Sequence, residues 1–151
     1  MDTLYNIVQH AHSGLRWVVL VLLVAAIVQG FAKRREGVPY PAKNKLALYA
    51  FISTHIQLLL GLALWLWLSP YALGYEGGDI MSNRIVRFYT VEHFTGMILA
   101  IGLITFGYIR AKRQGELNKG WKTVAIFYSI GLLIILASIP WPGRDLQGGW
   151  F

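Results

Sequence analysis

The chain has 151 residues, 56% of them hydrophobic and only 14% charged, with no cysteine. Soluble domains usually carry about a quarter charged residues, so this balance points to a membrane as the solvent. The missing thiols exclude disulfides, thiolate metal sites, iron–sulfur clusters and covalently attached c-type haem. The formal net charge of +7 raises the question of nucleic acid, but the placement of the charges assigns them to topology, and no nucleic-acid partner is expected.

Four apolar runs follow one another, with spans expected at about 7–31, 46–68, 87–109 and 121–139. Each is long enough to cross a ~30 Å hydrocarbon core as a helix, and helices satisfy their own backbone groups, as a bilayer requires. The first opens on "VQHAHSGLRW" at 8–17. It lacks a basic lead-in and a small-residue cleavage site, so it reads as a retained span and not a signal peptide. The second carries "STHIQLLLGLAL" at 53–64, the third begins with "RFYTVEHFTGM" at 87–97, and the fourth runs into Pro140 and Pro142, which stop a helix. Alternation of apolar and polar residues is absent, which argues against a β-barrel. The fold class expected is all-α integral membrane, a single four-helix up-down-up-down bundle.

The charges orient this bundle. Lys33, Arg34, Arg35, Lys43 and Lys45 surround the first connection, and Arg110, Lys112, Arg113, Lys119 and Lys122 surround the third. By the positive-inside rule both face the cytoplasm. The N-terminus, the 69–87 connection and the C-terminal tail then face outward, to the periplasm in a Gram-negative bacterial inner membrane. Trp65, Trp67, Tyr71, Trp141, Trp150 and Phe151 fall near the outer boundary, as interfacial aromatics do.

Ionisable groups inside spans are costly and mark function by default. They are His10, His12, Arg16, His55, Glu92 and His93, with the amide of Gln57 beside them. At ~1.5 Å rise per residue, His12 stands roughly 28 Å above the inner end of its helix, His93 roughly 24 Å and His55 roughly 13–14 Å. His12 and His93 therefore share an outer layer on two diagonal helices, an arrangement that ligates a b-type haem. Arg16 lies one turn from His12 and shares its face. A mid-membrane arginine turns inward, which takes His12 with it and leaves His10 outside. Beside His93, Gly96 would give a flat macrocycle room. Glu92 would pair with Arg16 or Arg87, or hold a histidine N–H. Arg16, Arg84 or Arg87 would receive haem propionates. His55 stands between two roles: axial ligand, or part of a quinone or proton site with Gln57 and Glu92. Gly61 and Gly102 read as permitting close helix packing.

Taken together, "HAHSGLRW", "STHIQLLLGLAL", "RFYTVEHFTGM" and "AIFYSIGLLIILASIPWPGR" with the terminal "GGWF" resemble small bacterial four-helix membrane proteins labelled cytochrome b (cytochrome b561-like). The resemblance spans nearly the whole chain. It implies haem b and membrane electron transfer, and singles out His12, Arg16, His55, Gln57, Glu92, His93 and Arg144. The two-haem cytochromes of that kind use four ligands on alternate helix pairs. Here the fourth span has no histidine, so one haem per chain is favoured.

Two other functions compete. His12, His55 and His93, with His10 as an alternate, would bind copper or zinc, since imidazole suits both. Alternatively the chain is a non-catalytic assembly subunit of a respiratory complex, with its histidines as packing partners. The expected partners are the lipid bilayer, a quinone, a redox protein, and a homo- or hetero-oligomeric neighbour. No glycine-rich nucleotide loop and no nucleophile triad is present, which argues against a self-contained hydrolase.

Overall fold

A computed structural model describes residues 2–71, 73, 75–114, 118–146 and 148, so Trp150 and Phe151 lie outside the described residues. The first apolar run carries no proline, and its helix α1 extends over Asp2–Arg35, beyond the expected span at both ends. Lys33, Arg34 and Arg35 occupy its last turn, where cations offset the helix dipole. Gly37 then turns the chain with φ 72°, a conformation that glycine adopts without penalty. Helix α2, Lys45–Ala63, is started by Asn44, whose side chain accepts the Ala47 N–H at 3.1 Å. It continues into a π-helical turn over Leu64–Leu68.

The third rod begins earlier than the sequence suggests. Asn83 accepts the N–H groups of Ile85 and Val86 and starts the short helix α3, Arg84–Arg87. A second π-helical turn over Phe88–Glu92 joins α3 to α4, His93–Arg113. Helix α5, Lys119–Ser138, completes the set. The described residues contain helices and no strands, and four of the helical rods are long and apolar enough to cross a membrane. Their outward faces are apolar: Val21, Leu59 and Leu133 are each 66% exposed. A water-soluble monomer does not carry apolar surface on this scale.

Helix α1 packs beside α2 and α5, while α4 packs closely on α5 and less extensively on α2. Small residues set these spacings. A Cβ on Gly131 would come within 2.7 Å of Ile104 Cγ1, and one on Gly107 would overlap the Phe127 side chain, so α4 and α5 approach more closely than larger residues would allow. Gly102 differs from the expectation of close packing, because nothing lies within 4 Å of the position its Cβ would take.

Both basic connections meet at one end. Asn118 Nδ2 donates to the Arg34 carbonyl at 3.2 Å, and Trp121 Nε1 to the Val38 carbonyl at 3.1 Å. At the other end Tyr89 Oη donates to the Leu146 carbonyl at 2.9 Å, and Arg84 to the Arg144 carbonyl at 3.1 Å. The tail thus folds back over the end of the bundle that holds His12 and His93.

Candidate functional site

His12 is held by helix α2. The Gln57 amide Nε2 donates to the His12 carbonyl at 2.8 Å. Gly61, one turn further along, seats the ring: a Cβ there would lie 3.1 Å from His12 Cε1. Residues four apart share a helix face, so Gln57 and Gly61 form one cradle. His93 is the first residue of α4, directly after the π-helical turn. Its Nδ1 lies 2.7 Å from the Ser138 carbonyl. A carbonyl can only accept, so Nδ1 carries the proton and Nε2 keeps its lone pair.

The two imidazoles face one another with ring centroids 6.3 Å apart and planes inclined by 72°. They line a cavity of about 350 Å³ that reaches from Tyr5 on α1 past Gln57 and Trp65 to Tyr89 and Ile139. That volume lies within the ordinary range of small-molecule sites. Arg16 also lines the cavity and is buried. Its guanidinium carbon stands 5.5 Å from the Trp17 ring and 5.9 Å from the Trp141 ring. His12 Nδ1 and Gln57 Oε1 are buried without a hydrogen-bond partner among the described residues. Both atoms belong to residues that line the cavity.

Two imidazoles on one cavity wall are a donor set that suits a transition-metal ion or an iron cofactor. His93 also presents the tautomer of a metal-ligating histidine, whose second ring N–H is donated to a carbonyl.

Other expected site residues fall elsewhere. His10 is exposed and does not line the cavity. Glu92 is exposed and pairs with Arg87, Nε to Oε1 at 2.9 Å, so it holds neither histidine nor Arg16. Adjacent helical residues point about 100° apart, and with His93 facing inward Glu92 faces out. His55 lies between α2 and α4, with Nδ1 2.7 Å from the Phe51 carbonyl and Nε2 3.3 Å from Thr105 Oγ1. Its ring packs 4.2 Å from that of Phe51. His55, Gln57 and Glu92 therefore do not converge on one quinone or proton site. Arg84 and Arg87 are engaged with the Arg144 carbonyl and Glu92, which leaves Arg16 as the arginine of the cavity. Gly96 does not open into the cavity, because a Cβ there would overlap the Ser138 side chain; its small size lets α4 meet α5.

Trp65 is a member of the site that its position in "LWLWL" does not disclose. Instead of anchoring at the lipid boundary, it lines the cavity and stacks on Phe94 with centroids 4.1 Å apart. Its Nε1 donates to the Thr90 carbonyl at 3.0 Å. The bond ties one π-helical turn to the other. Such turns recur at functional sites, and nothing in the residue types announces them. Trp67, 75% exposed, keeps the expected outward position.

Among the described residues no group of three or more His, Cys, Asp or Glu side chains could hold a metal ion. Comparisons with protein-family models, with curated proteins and with solved structures found no match.

Proposed function

We propose that this protein is a multi-pass membrane cytochrome of b type, with one haem b held between His12 and His93. The observation that carries the reading is the facing imidazole pair, 6.3 Å apart on the wall of a cavity, with His93 Nδ1–H committed to Ser138. A haem supplies one-electron transfer when bound. The chain's own residues would set its conditions. His12 and His93 would hold the haem iron, Gln57 and Gly61 would hold His12 in place, and Arg16 would bind the propionates and stabilise added negative charge. Trp65 and Phe94 would exclude water. The resemblance to small bacterial cytochrome b proteins supports the same assignment.

The topology belongs to this proposal. The rods run up-down-up-down through a bacterial inner membrane, with both basic connections in the cytoplasm and the haem site and both termini outside. Support comes from the meeting of the basic connections at one end of the bundle and from the apolar outward faces. Electrons would pass between a quinone pool and a redox protein on the outer side.

A reduced-minus-oxidised spectrum of the purified protein tests the cofactor. A b-type α-band at one haem per chain is expected. Absence of a Soret band after reconstitution with haemin would rule it out. Copper or zinc at one ion per chain, with no haem, would favour the metal reading, which His12 and His93 serve without His55. The chain has no native cysteine, so single cysteines at Gly37 and Glu76 report orientation. Membrane-impermeant maleimide added to intact spheroplasts should label only Glu76→Cys.

A further inference from the structure

The segment "IPWPGR" at 139–144 ends helix α5 in an unusual way. An α-helix leaves its last four carbonyls without intrahelical partners. Ile139 leaves the helix in an extended conformation, φ −75° and ψ 135°, and the Trp141 N–H turns back to the Ile139 carbonyl at 2.9 Å, so the backbone beyond does not continue the ladder. Side chains take its place. Trp141 Nε1 donates to the Leu136 carbonyl at 2.8 Å. Arg144 Nη1 donates to the carbonyls of Ala137 at 2.8 Å and Ile139 at 2.9 Å. The carbonyl between those two, that of Ser138, accepts His93 Nδ1 at 2.7 Å.

We infer that Arg144 positions His93, by fixing the carbonyls on either side of the Ser138 carbonyl that accepts the imidazole. The inference rests on the haem reading for its consequence, but its geometry is that of this chain alone. Arg144 is further fixed by the Phe88 ring, 5.4 Å from its guanidinium carbon, and by Arg84, which donates to its carbonyl at 3.1 Å. Gly96 lets α4 come close enough for the bond to form, since any Cβ there would strike Ser138. Arg144 itself does not line the cavity. It is therefore a positioning residue, and its effect on a bound group travels through the Ser138 carbonyl and the ring of His93. Loss of the bond would free the imidazole to rotate and would lower the basicity of Nε2.

The test uses the full chain in detergent, with and without haemin. In the haem-free protein, ¹⁵N-histidine NMR should report His93 in the Nδ1–H form with slow proton exchange. Arg144→Gln should speed that exchange by about tenfold or more and weaken haemin affinity by roughly 10–100-fold, the usual effect of removing an outer-shell partner. Arg144→Lys, which keeps a donor, should recover part of both. Arg144→Met, which keeps an apolar stem beside the Phe88 ring but has no donor, should shift both measurements in the same direction as Arg144→Gln. It also keeps the test open if Arg144→Gln does not fold. Equal thermal unfolding of wild type and variant would separate positioning from general stability. Unchanged proton exchange in both Arg144→Gln and Arg144→Met overturns the inference. Wild-type protein that binds no haemin but shows the protected Nδ1 proton, lost in these variants, upholds the positioning role and overturns the haem reading instead.

Discussion

The two ends of the bundle are built in opposite ways. At the basic end every device is regular and closed. Asn44 caps α2, Tyr128 is fully buried and donates to the Ala47 carbonyl at 2.8 Å, and Trp121 bonds Val38 while packing 4.9 Å from the ring of Tyr40. At the histidine end the helices widen into π-helical turns, α5 stops at prolines, and a cavity takes the place of a packed core. His12 Nδ1 and Gln57 Oε1 are buried there without a hydrogen-bond partner among the described residues, and Gln29 Oε1 is the corresponding atom toward the basic end. Stability and site are thus divided along the length of the molecule.

The division can be broken by experiment. The largest effect is expected for His93→Ala, which should reduce haemin affinity by more than 100-fold, since it removes one of the two imidazoles proposed to hold the haem, while His10→Ala leaves it unchanged. Titration of haem-free protein by Soret absorption measures both. Equal losses in the two variants would mean that the inner-facing pair is misassigned. Gly61→Ala comes next. Its methyl would press on His12 Cε1 at 3.1 Å, and affinity should fall about tenfold, or ~1.4 kcal/mol, with little change in unfolding temperature.

Tyr128→Phe sharpens the comparison from the other end. It removes one buried hydrogen bond, worth about 1 kcal/mol, and should lower thermal stability without altering haemin affinity. A change in affinity would show that the two ends are coupled. The smallest effect concerns alkaline pH. Burial pushes the Tyr40 hydroxyl up to about 12, with Asn44 opposing and Tyr108 adding to the rise. The folded state holds this proton more tightly than the unfolded chain, so the stabilisation is complete below about pH 10 and is lost as pH rises toward 12. Tyr40→Phe should flatten the fall in stability across that window, followed by thermal unfolding at graded pH.

Much of this plan is legible in the residues. Composition and run length fix four long apolar helices, and the spacing of His12 and Arg16 places both on one face, as the structure bears out. The expected grouping of His55 with Gln57 and Glu92 did not allow for the same pitch: two positions apart on a helix means roughly opposite faces, and the structure turns His55 toward α4 and Gln57 toward His12. The third rod shows the limit of such reasoning. Its start at Arg84 depends on the Asn83 cap, and the entry into His93 depends on a π-helical turn whose five residues look like any apolar helix.

By itself the sequence determined the local quantities: which segments are apolar enough to cross a bilayer, where the positive charge gathers, and which polar residues share a helical face. Those follow from side-chain chemistry and the pitch of the helix, and need no partner. Only the tertiary structure decided which faces meet. It set His12 against His93, gave Glu92 to Arg87, placed Trp65 in the cavity wall, and brought the Ser138 carbonyl to His93. These outcomes depend on how closely glycine-lined helices approach and on backbone groups left unbonded at helix ends, which are properties of packed helices and not of any one segment.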